Sequence, residues 1–140
     1  MDTEHSVFWD DLAQDLRDPQ LLRDYVAQSI RIATIDRIVN ELDGAREAAG
    51  LSKAELARAI NFEPATVRRL FSAGHVNPTL GTLAEVAAAL GMRVVLEPLD
   101  ADDRKRITEP LLEGSTEDPR VLARRLEAIR RTPDAESATA

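Results

Sequence analysis

Arg68 and Arg69 stand side by side in the stretch NFEPATVRRLFSAGHVNPTL, residues 61–80. A helix opening at Pro64 puts Ala65, Arg68 and Arg69 at i, i+3 and i+4, hence on one face. Val67, Leu70 and Phe71 then fall on the opposite, apolar side. An arginine fork on an exposed helical face can grip guanine O6 and N7 through two parallel donors, which discriminates that base by about 1–3 kcal/mol. The bland alternative is a solvated arginine face on an ordinary helix.

Other chemistry finds few candidates. The chain has no cysteine, which excludes disulfides and thiolate chemistry. Of its two histidines, His5 lies near the N-terminus, and His75 follows the arginine pair in a loop. A phosphate contact suits His75 better than general-base work. No glycine spacing fits a phosphate-cradling loop, and the carboxylates show no metal-ligand spacing. No enzyme, metal or cofactor is expected.

The net charge of −7 over 140 residues argues at first against nucleic acid, because phosphate contacts need cations. The charge is unevenly spread, however. Residues 1–34 carry −4, 35–50 carry −2, 51–92 carry +1, 93–118 carry −4 and 119–140 carry +2. A slightly basic middle between acidic flanks fits two partners better than one. No apolar run reaches the length of a membrane span, and MDTEH lacks the basic start of a signal peptide. A soluble cytoplasmic protein is the expectation.

The elements that must position the arginines follow from periodicity and caps. Phe8, Leu12 and Leu16 recur every fourth position, a short amphipathic helix over 6–16. Asp18-Pro19 starts a helical run to Ala49, read as one long helix or two joined near Thr34, and ended by Gly50. Ser52 and Glu55 form a capping box for a helix from Lys53 to about Ile60. Asn61-Phe62-Glu63 is a tight corner in which Asn tolerates the left-handed conformation. Pro64 opens the arginine helix, and Gly74 to Asn77 is a loop. Pro78-Thr79 starts a helix carrying Leu80, Leu83, Val86, Ala87 and Leu90, which stops at Gly91. Residues 93–97, RVVLE, are β-prone and closed by Pro98. Residues 99–118 read as polar loop. Asp118-Pro119 starts a last helix with Leu122, Leu126 and Ile129 as its stripe, and 132–140 is a disordered tail.

Two helices joined by a three-residue turn, the second short and bearing arginine, describe a helix-turn-helix. The segment from Leu51 to Met92 resembles the Cro/repressor-type (XRE) helix-turn-helix. The matching pieces are Leu51-Ser52, Leu56-Ala57, Val67, Leu70, the Asn77-Pro78-Thr79-Leu80 corner and Ala89-Leu90-Gly91. With DPQLLRDYVAQSI upstream, and with HVNPTLGTL and RVVLEPL, the chain is similar to antitoxins of the HigA or addiction-module antidote type. Carried over by position, the resemblance implies Lys53 and Arg58 as phosphate contacts. Pro64, Ala65, Arg68 and Arg69 would meet base edges, and Thr66 is a further DNA-binding candidate. Three positions depart from the pattern. Asn61 stands where glycine is usual, Glu63 where Ser or Thr caps, and Phe71 where Glu or another polar residue is frequent. Glu63 brings negative charge towards phosphate.

The resemblance implies a double-stranded operator and a basic toxin, of the RNase kind, as partners. It also implies a protein that represses its own operon as part of a toxin–antitoxin module. An XRE-family repressor without a toxin, or a neutraliser that has lost DNA binding, are the alternatives. The acidic N-terminus offers Phe8, Trp9, Leu12 and Leu16 as apolar anchors for a groove on a basic partner. Their competing reading is packing on the protein's own core. A homodimer would double the phosphate contacts and read two half-sites. Val94, Val95 and Leu96 are the candidates for pairing across its axis, with pairing to residues 107–112 of the same chain as the alternative.

The expected fold is all-α. It is a five-helix, lambda-repressor-like helix-turn-helix bundle with an N-terminal helical extension, one short β-strand and a C-terminal helix. The expected divisions are an acidic extension at 1–34, the helix-turn-helix domain at 35–92 and a dimerising strand at 93–98. A loop and helix at 99–131 and the tail at 132–140 complete the chain.

Overall fold

The computed structural model describes the backbone of residues 3–72 and 77–131, with side chains from residue 7 onward in those ranges. His75 and the tail at 132–140 lie outside the described residues. The helices are α1 (Thr3–Asp15), α2 (Pro19–Ala48), α3 (Lys53–Ala59), α4 (Pro64–Leu70), α5 (Leu80–Ala89), α6 (Ala101–Asp103), α7 (Glu109–Glu113) and α8 (Pro119–Arg131). A π-helical stretch, Arg104–Thr108, joins α6 to α7. The chain divides into two compact units, residues 34–97 and residues 1–33 with 98–140. The continuous helix α2 supplies residues to both.

In the unit 34–97, three helices end in the same way. Gly50, Asn61 and Gly91 all have positive φ, at 71°, 57° and 74°. After α2, Gly50 N–H bonds to Glu47 O and Leu51 N–H to Arg46 O. After α3, Asn61 N–H bonds to Arg58 O and Phe62 N–H to Ala57 O at 2.8 Å. After α5, Gly91 N–H bonds to Ala88 O and Met92 N–H to Ala87 O. Each is a Schellman closure, with a left-handed residue just past the C-cap. The core of this unit is Val39 and Leu42 of α2, Leu56 and Ala57 of α3, Val67 and Leu70 of α4, and Leu83, Val86 and Ala87 of α5.

The other unit is built on Trp9, Leu16, Leu22, Val26, Ile107, Leu122, Ala123 and Leu126. Asp18 and Asp118 cap α2 and α8 through their carboxylates, which accept from Gln20 and Leu21 N–H and from Arg120 and Val121 N–H. Arg23 reaches from α2 to the end of α7, donating from Nε to Leu111 O at 2.9 Å and from Nη2 to Leu112 O at 3.0 Å.

Two expectations are corrected. Residues 92–100 carry no regular secondary structure, and no strand occurs among the described residues. A β-prone run needs a neighbour for its backbone groups. Residues 107–112, the candidate neighbour within the chain, are already bonded within the π-helical stretch and α7. Val94, Val95 and Leu96 are exposed, Leu96 at 99%. The polar segment 99–118 is also not a loop, since it holds α6, the π-helical stretch and α7. Asp100 Oδ1 starts the run by accepting from Asp103 N–H at 2.8 Å. Glu109 N–H reaches back five residues to Arg104 O, the wider π spacing. Buried Ile107 and Pro110 anchor the stretch.

Candidate nucleic-acid interface

The candidate interface consists of α3 and α4, which pack against each other. The capping box expected at the start of α3 is present. Glu55 N–H donates to Ser52 Oγ and Ser52 N–H donates to Glu55 Oε1, both at 3.0 Å. The Ser52 backbone N–H first, and then the Ser52 side chain, hold the exposed Glu55 carboxyl below its ordinary pKa. Leu56 and Ala57 are fully buried, and Lys53 is half-buried while Arg58 is exposed.

Helix α4 is only seven residues long, so propensity alone cannot hold it. Its orientation comes from packing. Val67 and Leu70 are buried, and Phe71, its C-cap, packs at the edge of the same core. Pro64 occupies the first helical position. Glu63 is the N-cap in extended conformation, but its carboxylate makes no capping hydrogen bond. Ala65, Thr66, Arg68 and Arg69 are all exposed. Neither Arg68 nor Arg69 enters an ion pair among the described residues, so both guanidinium groups keep their donors for another partner.

His75 lies outside the described residues, and helix α5 after it opens at Leu80. Thr79 caps it, with Oγ1 accepting from Thr82 N–H at 3.1 Å. Asn77, Thr79 and Leu80 are exposed at this end of α5, Leu80 at 68%.

Among the other residues singled out by sequence, Trp9 and Leu16 are buried in the core of the unit 1–33 with 98–140, and Leu12 is half-buried against it. Phe8 is 57% exposed and meets the Trp9 ring edge-on, with centroids 5.4 Å apart. Phe8 is therefore the one of these four that presents most of its surface to solvent.

The sequence reading overlooked Arg46, in the last turn of α2. Its Nη1 donates to Leu51 O at 2.7 Å, and its guanidinium lies 5.9 Å from the centroid of Phe71. An arginine four residues before a C′ glycine was the available signal, because basic side chains there bond the free carbonyls.

No group of His, Cys, Asp or Glu among the described residues is placed to hold a metal ion. No helix among them is long and apolar enough to cross a membrane. Comparison with curated proteins and with solved structures finds no match. Residues 44–95 match the protein-family model described as "Helix-turn-helix". That segment spans the end of α2, the α3–α4 pair and α5, and its likeness to helix-turn-helix domains agrees with the Cro/repressor-type pattern.

Proposed function

We propose that the protein is a sequence-specific DNA-binding transcription regulator that inserts α4 into the major groove. One observation carries the reading. Within a segment matching the helix-turn-helix family, the face bearing Ala65, Arg68 and Arg69 is exposed and free of ion pairs among the described residues, while its opposite side is locked by Val67 and Leu70. Arg68 and Arg69 read base edges with Pro64, Ala65 and Thr66 close by, and Lys53, Arg58 and His75 contact phosphate. The free carboxylate of Glu63 opposes binding, so affinity per subunit is moderate.

A gel-shift titration of the protein on the DNA upstream of its own gene tests this. Arg68→Ala or Arg69→Ala should each cost about 1–3 kcal/mol on the specific fragment and much less on random duplex. Unchanged specific binding in both variants would remove the assigned readout.

The reading extends to a homodimeric antitoxin that represses its own operon and neutralises a basic toxin. Support comes from the antidote-like flanks and from the acid gathered outside residues 34–97. The exposed pair Val7 and Phe8, beside exposed Asp10, Asp11 and Asp15, suits a basic groove. Val94, Val95 and Leu96 offer apolar surface that a second copy would cover. Co-purification with the product of the adjacent gene is the test, alongside light scattering for the dimer. A neighbouring gene that encodes no small basic protein, or a monomer at micromolar concentration, would defeat this extension while leaving the DNA reading intact.

A further inference from the structure

The last turn of α2 carries a side chain that bonds the turn after α2 and faces the ring at the end of α4. The Arg46 side chain is only 12% exposed. Its Nε donates to Asp43 Oδ1 at 2.8 Å, its Nη1 donates to Leu51 O at 2.7 Å, and its Nη2 lies 3.6 Å from Glu47 Oε1. All three guanidinium nitrogens thus have a partner, and the Phe71 ring lies close by, its centroid 5.9 Å from the guanidinium carbon. Phe71 closes α4, with its N–H bonded to Val67 O at 3.1 Å. One planar cation thus joins the end of α2, the turn after it and the end of the helix that carries Arg68 and Arg69.

We propose that Arg46 is a positioning residue for DNA recognition, holding the C-terminal end of α4 through the ring of Phe71. The proposal rests on the DNA-binding reading. Its physical basis is the pairing of a guanidinium with an aromatic face, which needs both an aromatic ring and a planar cation. Asp43 and Leu51 O orient that plane. Lysine could keep the charge but could not supply the same fork and plane together.

The test compares the full chain with Arg46→Lys, Arg46→Met, Phe71→Tyr, Phe71→Leu and the Arg46→Met/Phe71→Leu double variant. Two readouts are taken on each folded protein: amide exchange at Leu70, Phe71 and Ser72, and affinity for the upstream fragment against random duplex. Arg46→Met and Phe71→Leu should each speed exchange at these amides several-fold and weaken specific binding roughly tenfold, with random duplex little changed. Phe71→Tyr should retain both properties, and Arg46→Lys should not. The double variant should resemble either single one, because both remove the same interaction. Wild-type exchange and affinity in folded Arg46→Met overturn the proposal, as do fully additive losses in the double variant. If Arg46→Met does not fold, Phe71→Leu against Phe71→Tyr decides the matter. A wild-type protein with no preference for the fragment removes the DNA reading, and with it the positioning role. Specific wild-type binding that the variants leave unaltered removes the positioning role alone.

Discussion

Residues 34–97 carry a net charge of −1, and the rest of the chain carries −6. The two units also differ in what closes them. In the unit 34–97, α2, α3 and α5 each stop on a left-handed residue, and backbone bonds spanning a few positions finish the turn. In the other unit α7 also stops on a left-handed residue, Gly114, but side chains far apart in sequence add the ties between helices. Arg23 bonds the carbonyls of Leu111 and Leu112, Arg120 pairs with Asp10 at 2.7 Å, and Arg125 lies 3.4 Å from Asp103. A short helix that must present two arginines is thus set by local instructions and one small core. The acidic unit depends on long-range contacts that form only once its helices have met.

The strongest way to break this comparison is at glycine. Gly114 has φ +75°, and a Cβ there would lie 3.0 Å from both Pro19 Cβ and Arg23 Cζ. Gly50 has φ +71°, but a Cβ there would meet nothing within 4 Å. Gly50→Ala should therefore cost only the left-handed strain, about 1–2 kcal/mol. Gly114→Ala should add overpacking of about 1–3 kcal/mol to a similar strain, giving roughly 2–5 kcal/mol in all. Urea denaturation with linear extrapolation measures both. Equal losses would mean that the crowding of Gly114 by Arg23 and Pro19 has no energetic weight.

The same contrast explains what could be read in the sequence. The Ser52–Glu55 box, Asn61 at the corner, Pro64 opening α4 and Gly91 ending α5 are local devices, and each was legible because residue type alone implies the backbone state. The buried stripe of Val67 and Leu70 was legible from helical spacing. Three features were not. Residues 99–118 have no apolar stripe, and their helical turns depend on the Asp100 cap and on Ile107 finding Trp9, Leu122 and their neighbours. The run RVVLE has the composition of a strand, but no ladder forms among the described residues. The place of Arg46 before Gly50 points to a bond with a free carbonyl, but its approach to Phe71 is visible only in the fold. In the candidate interface, spacing gave the exposed face of α4, whereas the support behind that face depends on tertiary packing.

A milder perturbation sharpens the comparison from the other side. If residues 34–97 are set by local devices, removing one cap should be felt there, though modestly. Ser52→Ala deletes the oxygen that accepts from Glu55 N–H. It should cost about 1 kcal/mol, an ordinary N-cap loss, with helix content retained. Thr79→Ala should behave similarly at α5, where Thr79 Oγ1 accepts from Thr82 N–H. Thermal unfolding followed by circular dichroism is sufficient. A loss well above that range in either variant would show that the cap also supports tertiary packing, and the distinction between locally set and long-range units would weaken.

The smallest expected effect is a pH dependence from the other half of the Ser52 box. In the folded protein the Ser52 backbone N–H, then the Ser52 side chain, hold the Glu55 carboxyl below its ordinary value of 4.5. A carboxyl whose folded pKa is depressed stabilises the fold at pH above its unfolded value. That contribution fades as pH falls through the ordinary value to the lowered one. Glu55→Gln removes the titration but leaves a side chain able to accept from Ser52 N–H. The stability difference between wild type and Glu55→Gln should therefore be constant near neutrality and shift against the wild type on acidification below about pH 4.5. Because the group is fully exposed, added salt should shrink whatever part of the shift comes from Arg58 and leave the hydrogen-bonded part. A difference that stays flat down to pH 3 would mean that the bond from Ser52 N–H to the Glu55 carboxylate is not maintained in solution. The helix preceding α4 would then rest on the Ser52 Oγ cap and the packing of Leu56 and Ala57.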